Sequence, residues 1–209
     1  MEFALPPIYP ITDKNVAQKT SHFAILKELV RGGAQLVQIR DKSTPARELL
    51  HDLRRCVEFA LKKEVTLIIN DRCDLVLSSS AMGVHLGQED LPPEAARAVL
   101  GREKIIGFST HSIAQVQKSI RLPVQYIGFG PVYPPATKKD AYPMVGLRRL
   151  AQASEISSVP VVAIGGIGVK QIPEVLKAGA SSAAVIASLM RAENLALQMQ
   201  RFLEKSMEK

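Results

Sequence analysis

The chain has 209 residues, 46% of them apolar and 22% charged, with two Cys and no Trp. That composition belongs to a folded globular protein and excludes long disorder and disulfide-dense miniature scaffolds. Lys and Arg exceed Asp and Glu by a net charge of +7, unevenly: residues 1–100 carry 13 basic and 13 acidic side chains, residues 101–209 carry 14 and 7.

In chain order, residues 1–10 have no cationic start, and Pro6, Pro7 and Pro10 interrupt what apolar character there is, so no secretory signal is legible. Short β-branched runs then recur at 8–12, 36–40, 65–70, 83–86, 105–109, 124–128, 159–165 and 183–187. Helical patterns occur at 22–31, 45–63, 172–178 and 194–207; in the last, Leu195, Met199, Phe202 and Leu203 recur at helical spacing. Eight nearly continuous apolar runs alternating with helices predict parallel βα units covered on both faces. The fold class is read as α/β, a single (β/α)8 TIM barrel over 1–209, with an open doubly wound sheet as the alternative. In a barrel the active site lies at the C-terminal strand ends.

Several partners and settings are argued against. No stretch reaches the ~18 apolar residues that a membrane helix needs. Cys56 and Cys73 have no CxxC spacing and no His at metal spacing, and read as reduced thiols of a cytoplasmic protein. Basic residues come singly or in pairs (Arg54-Arg55, Lys62-Lys63, Lys138-Lys139, Arg148-Arg149), and 5% of residues are aromatic. Nucleic-acid binding needs clustered cations with aromatics or a recognition helix, so the basic excess points instead to a small phosphorylated ligand.

The polar residues past each apolar run locate that ligand. Gln38, Arg40 and Lys42 alternate, and period-two geometry puts them on one side of an extended segment, where an amide and two cations can clamp a pyrophosphate. The bland reading is that both cations pair with Asp41 or neighbouring acids. Asn70, Asp71 and Asp90 offer oxygen ligands from adjacent strand ends, a set that suits Mg²⁺ with phosphate and water. The bland reading there is helix capping by Asp71 and Asp90. Gly165 and Gly166 follow a buried strand, and Ile186-Ala187-Ser188 opens the last unit, the place where barrels bind phosphate. His111 reads as a proton shuttle or a structural histidine satisfying a carbonyl. His85 lies within a strand and reads as core or as a support to the site. His22 and His51 read as helix surface.

Taken together, these strings resemble thiamine-phosphate synthase over nearly the whole chain. The matching pieces are Tyr9-Pro10-Ile11-Thr12-Asp13, Gln38-Ile39-Arg40-Asp41-Lys42, Ile69-Asn70-Asp71-Arg72 and Gly83-Val84-His85-Leu86-Gly87-Gln88-Glu89-Asp90. Gly107-Phe108-Ser109-Thr110-His111, Tyr126 through Tyr133, Thr137-Lys138 and Val161 through Ile167 complete them. The resemblance implies a β/α-barrel transferase that joins a hydroxymethylpyrimidine diphosphate to a hydroxyethylthiazole phosphate, giving thiamine phosphate and pyrophosphate. By the same resemblance Gln38, Arg40, Lys42, Asn70 and Lys138 hold the pyrimidine diphosphate, and Asp71 and Asp90 carry Mg²⁺. Ser109 contacts the pyrimidine ring, while Thr137, Gly166 and the backbone of Ile186 and Ala187 hold the thiazole phosphate. Arg40, Lys42, Ser109 and Lys138 are the residues expected to act in catalysis. A homo-oligomer is left open.

This chain departs from the family pattern at three places. Pro135 stands where a Thr is usual, Ala187 follows Ile186 where Ser is common, and Gln125 replaces a common Asp. The first two remove hydroxyls from the thiazole-phosphate side, and Pro135 offers no N–H either. Two rival functions fit the strings less fully: a thiazole tautomerase using His111, and a non-catalytic protein that binds thiamine intermediates.

Overall fold

The computed structural model describes residues 3–134 and 142–208. Its strands are β1 Ile8–Pro10, β2 Leu36–Ile39, β3 Thr66–Asn70, β4 Gly83–Leu86, β5 Ile105–Thr110, β6 Tyr126–Phe129, β7 Val161–Ala163 and β8 Ser182–Val185. All pair in parallel, in the order β1-β8-β7-β6-β5-β4-β3-β2. A bridge between Ile11 and Gln38, with the Thr12 N–H donating to the Gln38 carbonyl at 2.8 Å, joins the two ends of that order. The fold is a (β/α)8 TIM barrel.

The helices are α1 Lys14–Ala17, α2 His22–Arg31, α3 Ala46–Lys62, α4 Cys73–Ser79, α5 Pro93–Leu100, α6 Ile113–Ser119, α7 Gly146–Ile156, α8 Ile172–Lys177, α9 Ala187–Met190 and α10 Leu195–Ser206. Local chemistry starts several of them. Asp13, Ser21, Ser112 and Asn194 each accept a backbone N–H of the first turn. Helix α3 buries Leu49, Leu53, Cys56, Val57 and Ala60, one face at helical spacing. No described helix is long and apolar enough to cross a membrane.

Strand alternation divides the buried residues into two cores. Val37, Ile39, Leu67, Ile69, Val84 and Leu86 face the helices, whereas Tyr9, Leu36, Ile68, Tyr126, Val162 and Ala184 fill the barrel interior. Gly107 is small because the Tyr126 ring lies where its Cβ would stand.

Several strands differ from the apolar runs, and at three places the local cause is visible. The run at 159–165 yields only Val161–Ala163, because Gly165 and Gly166 turn into the left-handed region at φ 93° and 63°. At 183–187, pairing stops at Val185 and Ala187 already opens α9. The run at 124–128 is shifted to Tyr126–Phe129, since the Gln125 side chain is used to accept from Ile106 N–H and Arg97.

Candidate active site

The C-terminal ends of β2, β3 and β4 bring the proposed diphosphate and metal residues together. Asp71 holds a left-handed backbone, φ 64°, and its N–H donates to the His85 carbonyl at 2.8 Å. For a non-glycine residue that conformation is costly, and it aims the side chain at the mouth rather than along the chain. Neither carboxylate caps a helix: the cap positions of α4 and α5 are Arg72 and Pro92, without side-chain cap bonds. Asp90 instead accepts the Gly87 N–H at 2.6 Å. Burial, a hydrogen bond to Asp90 and its charge push Asp71 up to about 6, while Lys42 and Arg40 pull it down. Two carboxylates and two cations therefore act on one another at one rim.

Asp41 does not neutralise the two cations that flank it. It accepts from Ser43 N–H at 2.9 Å, Thr44 N–H at 2.8 Å and the Thr44 hydroxyl at 2.7 Å. Its other partners are His22 Nε2 at 3.0 Å and Lys14 Nζ at 3.2 Å. Burial alone would raise this carboxyl, but those N–H and O–H donors hold it well below the usual carboxylate range. Arg40 reaches Asp13 at 3.3 Å, both side chains partly exposed. Strand geometry ends at Ile39, so period-two alternation covers Gln38 alone; Arg40 is half-buried just past the strand, and Lys42 lies on the following bend and is exposed.

The sequence reading of His22 as helix surface is overturned. Its side chain is fully buried, between the Thr12 hydroxyl (2.8 Å from Nδ1) and Asp41. As the first residue of α2 it lies where the helix meets the barrel, and its ring bonds Thr12, just past β1, and Asp41, just past β2. His51 is exposed, as a surface residue would be.

A buried hydrogen-bonded chain crosses the barrel interior to Ser109. Gln38 Nε2 donates to Tyr9 Oη at 3.0 Å, Tyr9 and Tyr126 hydroxyls meet at 2.7 Å, Tyr126 meets His85 Nδ1 at 3.1 Å, and His85 Nε2 meets Ser109 Oγ at 2.8 Å. Tyr9 takes a proton of the Gln38 amide, and the two tyrosine hydroxyls and both His85 ring nitrogens carry the chain on to Ser109 without a break. Burial pushes both tyrosines up and lowers His85 to about 4, which keeps all three neutral near pH 7. The Ser109 carbonyl also accepts from Gln88 Nε2 at 2.6 Å.

The opposite rim is built from backbone. A Cβ on Gly165 would strike Pro131, and one on Gly166 would stand 2.5 Å from the Pro134 carbonyl. The glycine pair thus seats the segment leaving β6, which also bonds it through Val132 N–H to Ile164 O at 2.8 Å and Tyr133 N–H to Gly165 O at 3.2 Å. Ile186 and Ala187 are half-buried at the start of α9. Thr137, Lys138 and Pro135 lie outside the described residues. His111 bonds the Gly130 carbonyl through Nδ1 at 2.7 Å and stacks on Tyr142, ring centroids 3.7 Å apart.

Sequence reasoning missed Asp13, Thr12, Tyr9 and Tyr126 as partners of site residues. Their strings mark them, but their bonds span 27 or more positions and have no periodic signal. Asn70 is half-buried at the end of β3, beside Asp71. Among the described residues no three His, Cys, Asp or Glu are grouped to hold a metal; Asp71 and Asp90 form a pair.

A family model described as thiamine monophosphate synthase matches residues 8–189. A thiamine-phosphate synthase of Koribacter versatilis is 43% identical over 192 residues, covering 89% of this chain and 90% of that one. One of Persephonella marina is 39% identical over 188 residues, 90% of each. Among solved structures, thiamine phosphate pyrophosphorylase from Pyrococcus furiosus superposes with a TM-score of 0.87 at 30% identity, covering 97% of both chains. The match runs through every strand end of the barrel mouth, and the chain belongs to the thiamine monophosphate synthase family, transferases that form thiamine phosphate.

Proposed function

We propose that this mouth joins a hydroxymethylpyrimidine diphosphate to a hydroxyethylthiazole phosphate, releasing pyrophosphate. The observation that carries the reading is the rim shared by Asp71, Asp90, Arg40 and Lys42. A half-buried carboxyl raised toward 6, by burial first and then by the carboxylate beside it, is disfavoured as an anion until positive charge arrives, and hard oxygen donors of this kind fit Mg²⁺. Asp71 and Asp90 would hold that ion, with the ligand's phosphates and water supplying other oxygens. Mg²⁺ bound there would offset charge on the diphosphate.

The chain's own groups divide the remaining work. Arg40 and Lys42 stabilise the leaving diphosphate, and Gln38, Asn70 and Ser109 orient the pyrimidine. The bond from the methylene carbon to the diphosphate oxygen breaks with its electron pair leaving on pyrophosphate. The aminopyrimidine stabilises the resulting cation, and the thiazole nitrogen lone pair then forms the new bond. No covalent nucleophile is required. Thr137 and Lys138, by the family resemblance, close the two phosphate sites. Buried free thiols at Cys56 and Cys73 favour a reducing, cytoplasmic setting.

The test is a coupled pyrophosphate-release assay with both substrates, with and without Mg²⁺. Release that needs both substrates and the metal is expected. Absence of release with everything present would overturn the reading.

A further inference from the structure

Thr12, His22 and Asp41 form a Thr–His–Asp line that no substrate can reach. Thr12 and His22 are fully buried, and the Asp41 side chain is 3% exposed. Its hydrogen bonds run in one direction. The Asp41 carboxylate only accepts, so His22 donates from Nε2. The lone pair on Nδ1 takes the Thr12 hydroxyl proton at 2.8 Å, and the Thr12 oxygen takes the Arg40 backbone N–H at 3.2 Å. The line therefore starts at the backbone of residue 40 and ends on the side chain of residue 41, closing a loop around Arg40.

The same carboxylate also gathers the turn beyond Lys42. Ser43 and Thr44 donate to it through backbone N–H and hydroxyl groups, and Lys14 bonds both Asp41 and Thr44. Within residues 40–44, every side chain but those of Arg40 and Lys42 is tied into this knot. Two cations two residues apart repel, and in a loose turn they would swing away from each other into water. A knotted backbone holds both toward the rim before any ligand arrives, which lowers the ordering cost of binding.

We propose that Thr12, His22 and Asp41 are positioning residues that preorganise Arg40 and Lys42 for a diphosphate group. The proposal rests on the assignment of this rim to the diphosphate and adds the buried device behind it.

The experiment measures binding of inorganic pyrophosphate by calorimetry in Mg²⁺, together with KM for each substrate, in Thr12→Val and Thr12→Ser. Thr12→Val keeps the shape and deletes the hydroxyl that joins Arg40 to His22. It should weaken pyrophosphate about tenfold and raise KM for the pyrimidine diphosphate alike, with KM for the thiazole phosphate unchanged. Thr12→Ser restores the hydroxyl and should return to within about twofold of the parent. A folded Thr12→Val with parental pyrophosphate affinity, or with both KM values raised equally, overturns the proposal. Should Thr12→Val fail to fold, Lys14→Met loosens the same carboxylate from its exposed side. A loss of about threefold on the diphosphate side alone is then expected, and no loss overturns the proposal. Parent protein that neither binds nor releases pyrophosphate overturns the functional reading as well; parent protein that does both, beside an unaffected Thr12→Val, overturns the positioning device alone.

Discussion

The two rims of the barrel mouth are made of different materials. At the ends of β2 to β5, charged and polar side chains meet, backed by buried hydrogen bonds. At the ends of β7 and β8, the described residues are Gly165, Gly166, Ile186 and Ala187, whose contribution is backbone shape. A diphosphate that must leave asks for opposing charge, whereas a retained monophosphate asks mainly for fit. Net charge says the reverse, since the +7 excess lies in residues 101–209. Arg148, Arg149, Lys170, Arg191 and Arg201 are all exposed, so much of that excess coats helices rather than the mouth. Placement, not count, distinguishes the rims.

The most damaging way to break the charged rim is to remove its charges. Asp71→Asn and Arg40→Ala should each lower kcat/KM about 10²–10³-fold in the pyrophosphate-release assay. Asp71→Asn should in addition lose the dependence on Mg²⁺ concentration. Retention of full metal-dependent turnover in either variant would sink the assignment of this rim to the diphosphate.

Tyr126→Phe tests the support beneath it. The variant removes the hydroxyl that partners both Tyr9 Oη and His85 Nδ1, groups that are fully or nearly buried. Orphaning such groups costs about 1–3 kcal/mol, or a fall of several degrees in Tm for a chain of this size. With its Nδ1 partner gone, His85 keeps one of the two bonds that fix its ring against Ser109. Turnover should then fall about tenfold beyond any loss of folded protein, measured as kcat on the soluble fraction. An unchanged kcat would mean that Ser109 needs no support from this buried chain.

The charged rim was also the more legible of the two in sequence. The eight apolar runs reveal the barrel because each strand is buried on both faces, and the polar residues ending them mark the mouth. Strand ends that fall two residues short, as after β7, include places where glycine overrides apolar patterning. Asp41 could not be assigned from its neighbours, because its partners His22 and Lys14 lie 19 and 27 positions away. His22 looked like a surface residue for the same reason. A helical wheel reports a face, and a residue in the first turn answers to the loop before it. Tyr9 and Tyr126 are 117 positions apart, a contact that only barrel closure creates.

Acid separates the rims by a different route. Asp41 titrates below its ordinary value in the folded protein, so the unfolded chain binds its proton first as pH falls. The stabilisation it provides is complete above an ordinary carboxylate pKa and is lost as pH drops below about 4. The urea midpoint should therefore fall between about pH 5 and about pH 3, and fall less steeply in Asp41→Asn. Hydrogen exchange should show residues 40–44 opening before β7 and β8. Equal slopes in the two proteins would deny Asp41 this part.

The smallest effect sharpens the comparison from the other rim. Ala187 opens α9 where the family commonly has Ser, and Ile186 before it makes no side-chain cap bond. Ala187→Ser adds one hydroxyl at a half-buried position without altering the backbone that seats it. A hydrogen bond to a charged phosphate is worth more than one between neutral groups, but water competes at an open rim. The net gain should lower KM for the thiazole phosphate about threefold while pyrophosphate affinity stays fixed. If both constants shift together, the two rims are not independent sites. If only the first does, a rim that works by fit has been given one polar contact of the kind its neighbour is built from.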